Sequence, residues 1–437
     1  MIRGRFRRLI GDATLLSQVL RLGTRTALSQ AVLVVAIPAT TRLYTPAEFG
    51  EFGMFMSFLS VAALALCLRF DTAIASVSQK RQAAALLVVC VALILPMSIL
   101  STVVLWVMWR NDWLSFGSLP LAILPMMVAA LFATGLFIAL RFWLAQQLRF
   151  RELGSALLRQ SIGRAVAPIV FGLSGFSQFG LVAGEIIGRS FAIRQIAVDA
   201  IATCRRLLRR CDGRYYSLLI RRNWKYPGIL LPSSVLDAAA AAMPVPLLWT
   251  LFGPDVAGYF ALVGRIASVP GSVVAASVAD VLQGHLARSV NVGVLEARRQ
   301  LLSVAGALSL AGAAIFVPIA LLARWGVPAV FGDQWQSAGI LLAILSPAFL
   351  AAFVVSPLSR ALVVVNRLEL KPIADVALLV LPVVALLSFE GQGWLRAMVA
   401  FSVANVLAYI IYFSVILFAM NRGRRRAPMA VRGRPSG

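Results

Sequence analysis

The stretch RLYTPAEFGEFGMF, Arg42 to Phe55, is a short polar hinge between two long apolar runs. Pro46 and Gly50 interrupt the apolar pattern, and Glu48 and Glu51 supply acids. A second copy, FGPDVAGYFALV, runs from Phe252 to Val263. Pro46 pairs with Pro254, Gly50 with Gly258, Phe52 with Phe260 and Tyr44 with Phe252, at an offset of 208 in each case. Pro38 and Pro246, one helix earlier, keep that offset. Five matched positions without a gap imply two related halves. In a membrane chain, such internal symmetry points to a transporter with its site between the halves.

The membrane reading rests on composition. The chain has 437 residues, of which 60% are hydrophobic and only 13% charged, with a mean hydropathy of +0.87. Soluble domains carry about a quarter charged residues, so this chain cannot cover a water-facing surface. Lys and Arg number 41 against 17 Asp and Glu, a net charge of +24. The excess falls in alternate loops, among them Arg205 to Lys225 and Arg422 to Arg434. The loops between hold only Arg42, Arg110, Arg324 and Arg396. That alternation is the positive-inside pattern, so the charge sets topology and does not imply a nucleic-acid partner. It places both termini in the cytoplasm. The four Cys residues form no disulfide or metal pattern. The apolar run after Arg25 reads as a retained first helix, not a cleaved leader.

At roughly 20 apolar residues per span, the chain divides into about twelve helices. The expected fold is an all-α integral membrane protein with two pseudo-symmetric six-helix bundles. The first bundle takes residues 1–203 and the second 228–421. A basic cytoplasmic linker, 204–227, joins them, and a basic, disordered tail occupies 422–437. Helix two is expected over about Glu48 to Val77 and helix seven over about Gly228 to Leu251.

Charges within spans are costly and mark functional candidates. Arg69 and Asp71 stand on helix two, Arg164 on helix five, Glu185 and Arg189 on helix six, Asp237 on helix seven, Arg265 and Asp280 on helix eight. Glu185 and Arg189 are four apart and can pair on one face. Arg69, Arg164, Arg189 and Arg265 outnumber the carboxylates expected to pair with them. A cavity with surplus Arg suits an anion, because guanidinium binds phosphate in bidentate fashion. Arg69, Arg164 and Arg265 are therefore candidates for holding a pyrophosphate headgroup. Asp71, Asp237 and Asp280 are candidates for coupling to an ion. Enzyme signals are weak. The only histidine is His285, there is no phosphate-binding Gly-rich loop with Lys, and no two Asp residues stand one apart. No cofactor or metal is expected.

The run RLYTPAEFGEF followed by LRFDTAIAS resembles the N-terminal signature of bacterial polysaccharide-biosynthesis flippases. These belong to the multidrug/oligosaccharidyl-lipid/polysaccharide exporter superfamily. The matching positions are Arg42, Leu43, Tyr44, Pro46, Glu48, Phe49 and Gly50, then Arg69, Phe70, Asp71, Ala73 and Ile74. AGYFALVGRIASVPGSVV with Gly258, Arg265 and Pro270, VFGDQWQSAG with Gly332 and Trp335, and SPLSRAL with Ser356 and Pro357 are similar to later family segments. Asp237 departs from the neutral polar residue expected on helix seven, which leaves the coupling ion open. The resemblance implies a multi-pass protein of the bacterial inner membrane that works by alternating access. Its substrate would be an undecaprenyl-diphosphate-linked oligosaccharide, carried from the cytoplasmic to the periplasmic leaflet for O-antigen, capsule or exopolysaccharide synthesis. Membrane lipids, a polysaccharide polymerase and glycosyltransferases are the implied partners. The rivals are an ion-coupled drug or cation antiporter of the same fold, and a non-transporting scaffold of a synthesis complex.

Overall fold

The computed structural model describes residues 13–208, 212–268, 294–365 and 367–422. Among these the chain is helical, without a strand. Among the described residues, nine helical segments are long and apolar enough to cross a membrane. Three further helices are not among the nine. Helices Phe150–Leu173 and Ser177–Leu208 have the length, 24 and 32 residues, but carry charge. The helix over 254–268 runs up to residues that are not described.

The first unit takes in Met1–Leu262 together with Pro328–Trp335. Its helices are α1 (Ala13–Leu43), α2 (Pro46–Ala65), α3 (Phe70–Ser76), α4 (Lys80–Arg110), α5 (Ile123–Gln146), α6 (Phe150–Leu173), α7 (Ser177–Leu208), α8 (Gly213–Arg222), α9 (Leu231–Ala242) and α10 (Pro244–Phe252). The second unit takes in Val263–Val327 and Gln336–Gly437. α11 is the helix over 254–268. α12 (Val294–Phe331), α13 (Gln336–Leu358), α14 (Ala361–Val364), α15 (Lys371–Ser388) and α16 (Trp394–Arg422) follow. In the second unit, Phe316, Phe353, Leu358, Tyr412 and Ile416 form one core.

α4 is built for lipid. Its buried stripe includes Cys90, Ile94, Ser98 and Thr102, while Val91, Leu95, Ile99 and Val103 are exposed. The hydroxyls of Ser98 and Thr102 donate to carbonyls one turn back, at 2.6 and 2.9 Å. Weakly polar side chains thus face the interior with their hydrogen bonds made, and the apolar ones face outward.

One of the expected helices is broken and another is irregular. Helix two does not run unbroken to Val77. It stops at Ala65, turns through Leu66 to Arg69, and restarts as α3. Leu68 and Arg69 take left-handed backbone angles, φ 46° and 62°. Three-residue turns replace the helical ladder, with the Leu68 amide on the Ala65 carbonyl at 3.0 Å and the Phe70 amide on the Cys67 carbonyl at 2.9 Å. Helix seven runs on from Tyr226 to Phe252 as one span, with a π-turn over Tyr226–Leu230 and an irregularity at Met243 between α9 and α10. Pro227, Pro244 and Pro246 lack the amide hydrogens that a continuous helix would use.

The two copies of the hinge meet within the first unit. Each proline opens a helix, Pro46 at the start of α2 and Pro254 at the start of α11. Thr45 caps α2 in a capping box with Glu48. A Cβ on Gly50 would stand 2.3 Å from the Pro254 carbonyl oxygen. A Cβ on Gly258 would stand 1.8 Å from the Pro46 carbonyl oxygen. The contact is reciprocal: each glycine receives the carbonyl of the other copy's proline. The offset of 208 is therefore a physical two-fold, and only hydrogen fits at either crossing point.

An aromatic cluster surrounds this crossing. Phe49 stacks edge-on against Trp335 at 4.9 Å, and Tyr259 reaches the same indole at 6.1 Å. The indole N–H of Trp335 donates to the Thr41 carbonyl at 2.9 Å. The Gln334 amide donates to the carbonyls of Thr41 and Tyr44, at 2.7 and 3.1 Å. These donors occupy the carbonyls that the end of α1 leaves without helical partners. The Tyr44 hydroxyl donates to the Pro168 carbonyl at 2.7 Å. Burial, and then the Glu48 carboxylate, push this phenol up to about 12, so it remains a donor across the physiological range.

Gly258→Ala should destabilise the protein by about 1–3 kcal/mol, the usual cost of forcing atoms into a packed site. Gly326→Ala, where a Cβ meets nothing within 4 Å, is the control. Thermal midpoints of the purified proteins check this, and equal midpoints would refute the reciprocal contact.

Candidate functional site

Arg69 ends the turn between α2 and α3 and is half-buried. Its Nη2 donates to the Ser234 hydroxyl on α9 at 3.0 Å. Its Nε is buried and has no hydrogen-bond partner among the described residues. Asp71, two residues on, is 4% exposed. The cations acting on it are Arg69 and Arg141, and its own amide and that of Thr72 also point to it. Because the helix is broken here, the rule that residues two apart face different ways does not separate Arg69 from Asp71.

α9 brings a second carboxylate to this region. Ser234 and Asp237 are three apart on one helix, so they share a face. Asp237 is exposed. The helix break and the facing helix thus bring together Arg69, Asp71 and Ser234, with Asp237 one turn along α9 from Ser234. Ser234 was not apparent from sequence. The signal available was its spacing from Asp237 on a proline-interrupted span.

Arg164 lies in a different cluster. Its Nε contacts Glu185 at 2.6 Å. Arg189 pairs with the other oxygen of Glu185, and also donates to the Thr134 hydroxyl on α5. The Glu185 side chain is only 2% exposed, against 24% for Arg164 and 13% for Arg189. Two guanidinium groups on one carboxylate leave the cluster with a net positive charge.

The sequence explains how three charges come together here. GLVAGEIIG places Gly180, Gly184 and Gly188 four apart along one face of α7. A Cβ at Gly184 would strike the Pro168 ring at 2.5 Å, and one at Gly188 would strike the Arg164 Cγ at 2.5 Å. Small residues at this spacing let membrane helices touch backbone to backbone. Glu185 and Arg189 each follow a seam glycine, so the seam carries them to α6 and Arg164.

Arg265 is half-buried on α11 and belongs to the second unit. The Ser268 hydroxyl donates to its carbonyl at 2.8 Å. Asp280 and Pro270 lie outside the described residues. No group of three His, Cys, Asp or Glu able to hold a metal occurs among the described residues.

Long apolar helices with lipid-facing stripes define a polytopic membrane protein. Comparison with solved structures agrees on the fold. The chain is similar to a multidrug resistance MATE family transporter of the MOP superfamily in its inward-facing conformation, with TM-score 0.71, 16% identity, and 91% of this chain and 96% of that one covered. It is also similar to the outward-facing conformation of such a transporter, with TM-score 0.56, 16% identity, and coverage of 94% and 96%. The Vibrio cholerae MATE transporter VcmN in the bent form matches with TM-score 0.55, 13% identity, and coverage of 94% and 98%. These relatives are transporters, not enzymes. Curated proteins yield no match. The family described as polysaccharide biosynthesis protein matches residues 39–339. The chain belongs to that family.

Glu185→Gln should lower the thermal midpoint more than Arg164→Gln. The first change strands two buried cations, a loss on the scale of about 3–5 kcal/mol. The second leaves Glu185 paired with Arg189. The reverse order would show that Glu185 is not the group that balances this cluster.

Proposed function

We propose that this protein carries a lipid-linked oligosaccharide with a diphosphate headgroup across the inner membrane, from the cytoplasmic to the periplasmic leaflet. In this reading the lipid is undecaprenyl and both termini are cytoplasmic. The observation that carries it is Arg69. It is a half-buried guanidinium at the break of a spanning helix, with a buried Nε that nothing in the described structure satisfies. Broken helices are where transporters build substrate sites. A buried donor without a partner is costly unless a ligand completes it. A phosphate oxygen is the acceptor that a planar guanidinium fits best.

Each residue has a distinct task. Arg69 holds the anion, with the Ser234 hydroxyl fixing one edge of the guanidinium. Asp71 moderates the charge of Arg69 when the site is empty. Asp237, on the face of α9 that carries Ser234, is placed to take up a proton or cation as the anion leaves. Arg265 remains an anion-binding candidate from sequence, and Asp280 a coupling candidate from sequence. Arg164 supplies positive field from within a paired cluster. The family match to polysaccharide biosynthesis favours this substrate class over organic cations, and so does the net positive charge of the Glu185 cluster.

The test is translocation of a fluorescent undecaprenyl-diphosphate oligosaccharide by the full-length protein in liposomes. Wild type should move the probe. Arg69→Ala should reduce the rate at least about tenfold, the worth of one charge-assisted hydrogen bond at ~1.5 kcal/mol or more, with insertion and thermal midpoint retained. Asp237→Asn should slow turnover under an ion gradient while leaving probe binding intact. Efflux of organic cations without movement of the sugar lipid would instead assign the drug-antiporter reading. Movement of neither would leave a scaffold.

A further inference from the structure

The first unit has a concave feature away from the Arg69 region. A groove of about 610 Å³ runs between α4, α5 and α7. That is ample for a chain-like ligand, since small-molecule sites span roughly 300–1,000 Å³. Val88 and Val91 form one wall, Phe132 and Leu136 the other, and Ala200 lies in the floor. Val88, Val91 and Phe132 are 37–43% exposed, so the groove opens outward to lipid. One end changes character. There Arg205 and Tyr216 complete the lining. Arg206 is exposed beside Arg205, and the Arg81 guanidinium sits 5.3 Å over the neighbouring ring of Tyr215. No carboxylate lines the groove. The nearby Asp212 accepts from the Gly213 amide at the start of α8.

We propose that this groove holds one acyl chain of an anionic phospholipid, with its phosphate on Arg205. The apolar walls alone cannot select a ligand, because a chain in the groove and a chain in bulk lipid are both surrounded by hydrocarbon. Selection comes from the basic end. A cation at the membrane surface favours an anionic headgroup over a zwitterionic one, and a guanidinium–phosphate hydrogen bond fixes its position. The walls and the end therefore have separable roles. The walls admit the chain of any lipid, and Arg205 decides whose chain remains.

The test uses the full chain in nanodiscs doped with phosphatidylglycerol or phosphatidylcholine bearing a diazirine in the acyl chain. Crosslinked peptides are mapped by mass spectrometry. Phosphatidylglycerol should label the segments around Val91, Phe132 and Ala200 about fivefold more than phosphatidylcholine, the selectivity that one Arg near the surface supplies. Arg205→Ala should bring the two lipids level. Ala200→Trp should reduce labelling by both, and Val91→Trp, at the exposed edge, does the same if the first variant folds poorly. Labelling on the exposed face of α16, at Val403 and Leu407, should not change. Equal labelling by both lipids in the wild type would overturn the proposal. So would displacement of phosphatidylglycerol by an equal dose of isoprenyl diphosphate, which would give the groove to the transported lipid's tail.

Discussion

The carbonyl oxygens of Pro46 and Pro254 each lie where a side chain of the opposite repeat would have to stand. This one constraint orders much of the first unit. Because Gly50 and Gly258 present only hydrogen, α2 and α11 approach until backbone meets backbone. Close approach of this kind is strong in lipid, where hydrocarbon gives no incentive for apolar side chains to associate and packing must supply it. The aromatic cluster of Phe49, Tyr259 and Trp335 closes around the crossing. Trp335 and Gln334 then satisfy the last carbonyls of α1. A helix end in a low-dielectric region would otherwise leave several acceptors without partners.

Charge is handled in two different ways in the same unit. Around Glu185 it is neutralised locally, by carboxylate, guanidinium and hydroxyl groups brought together by a glycine seam. At Arg69 the partner is the Ser234 hydroxyl, and one buried nitrogen is open. A buried nitrogen is also open in the Glu185 cluster, at Arg189 Nε. The two places differ in the partner offered, a carboxylate in one and a hydroxyl in the other.

Much of the fold was legible in the sequence, for physical reasons. Long apolar runs report spans directly, because lipid demands them. The 208-residue offset reported a two-fold because close backbone crossings require glycine and helix starts tolerate proline. The break between α2 and α3 was hidden. The segment around Leu66 to Arg69 has neither proline nor glycine, and its residues favour continued helix; the left-handed turn is imposed by packing. The glycine seam of α7 stands in the sequence as GLVAGEIIG, and it positions the charges Glu185 and Arg189. Arg69 and Asp237 were identified as charges in spans, while Ser234, a hydroxyl on a helix rich in small residues, gave no comparable signal. What sequence cannot encode locally is which distant helix a side chain meets.

The left-handed backbone at Arg69 has an evolutionary corollary. A residue with φ near 62° is held in a conformation that glycine adopts freely and a branched or long side chain adopts at a cost. Glycine at this position would relax the turn, remove a buried charge and relieve the unsatisfied nitrogen at once. Selection for a sturdier membrane protein alone would therefore favour erasing this arginine. Arginine here therefore holds folding stability at this turn below what glycine would give.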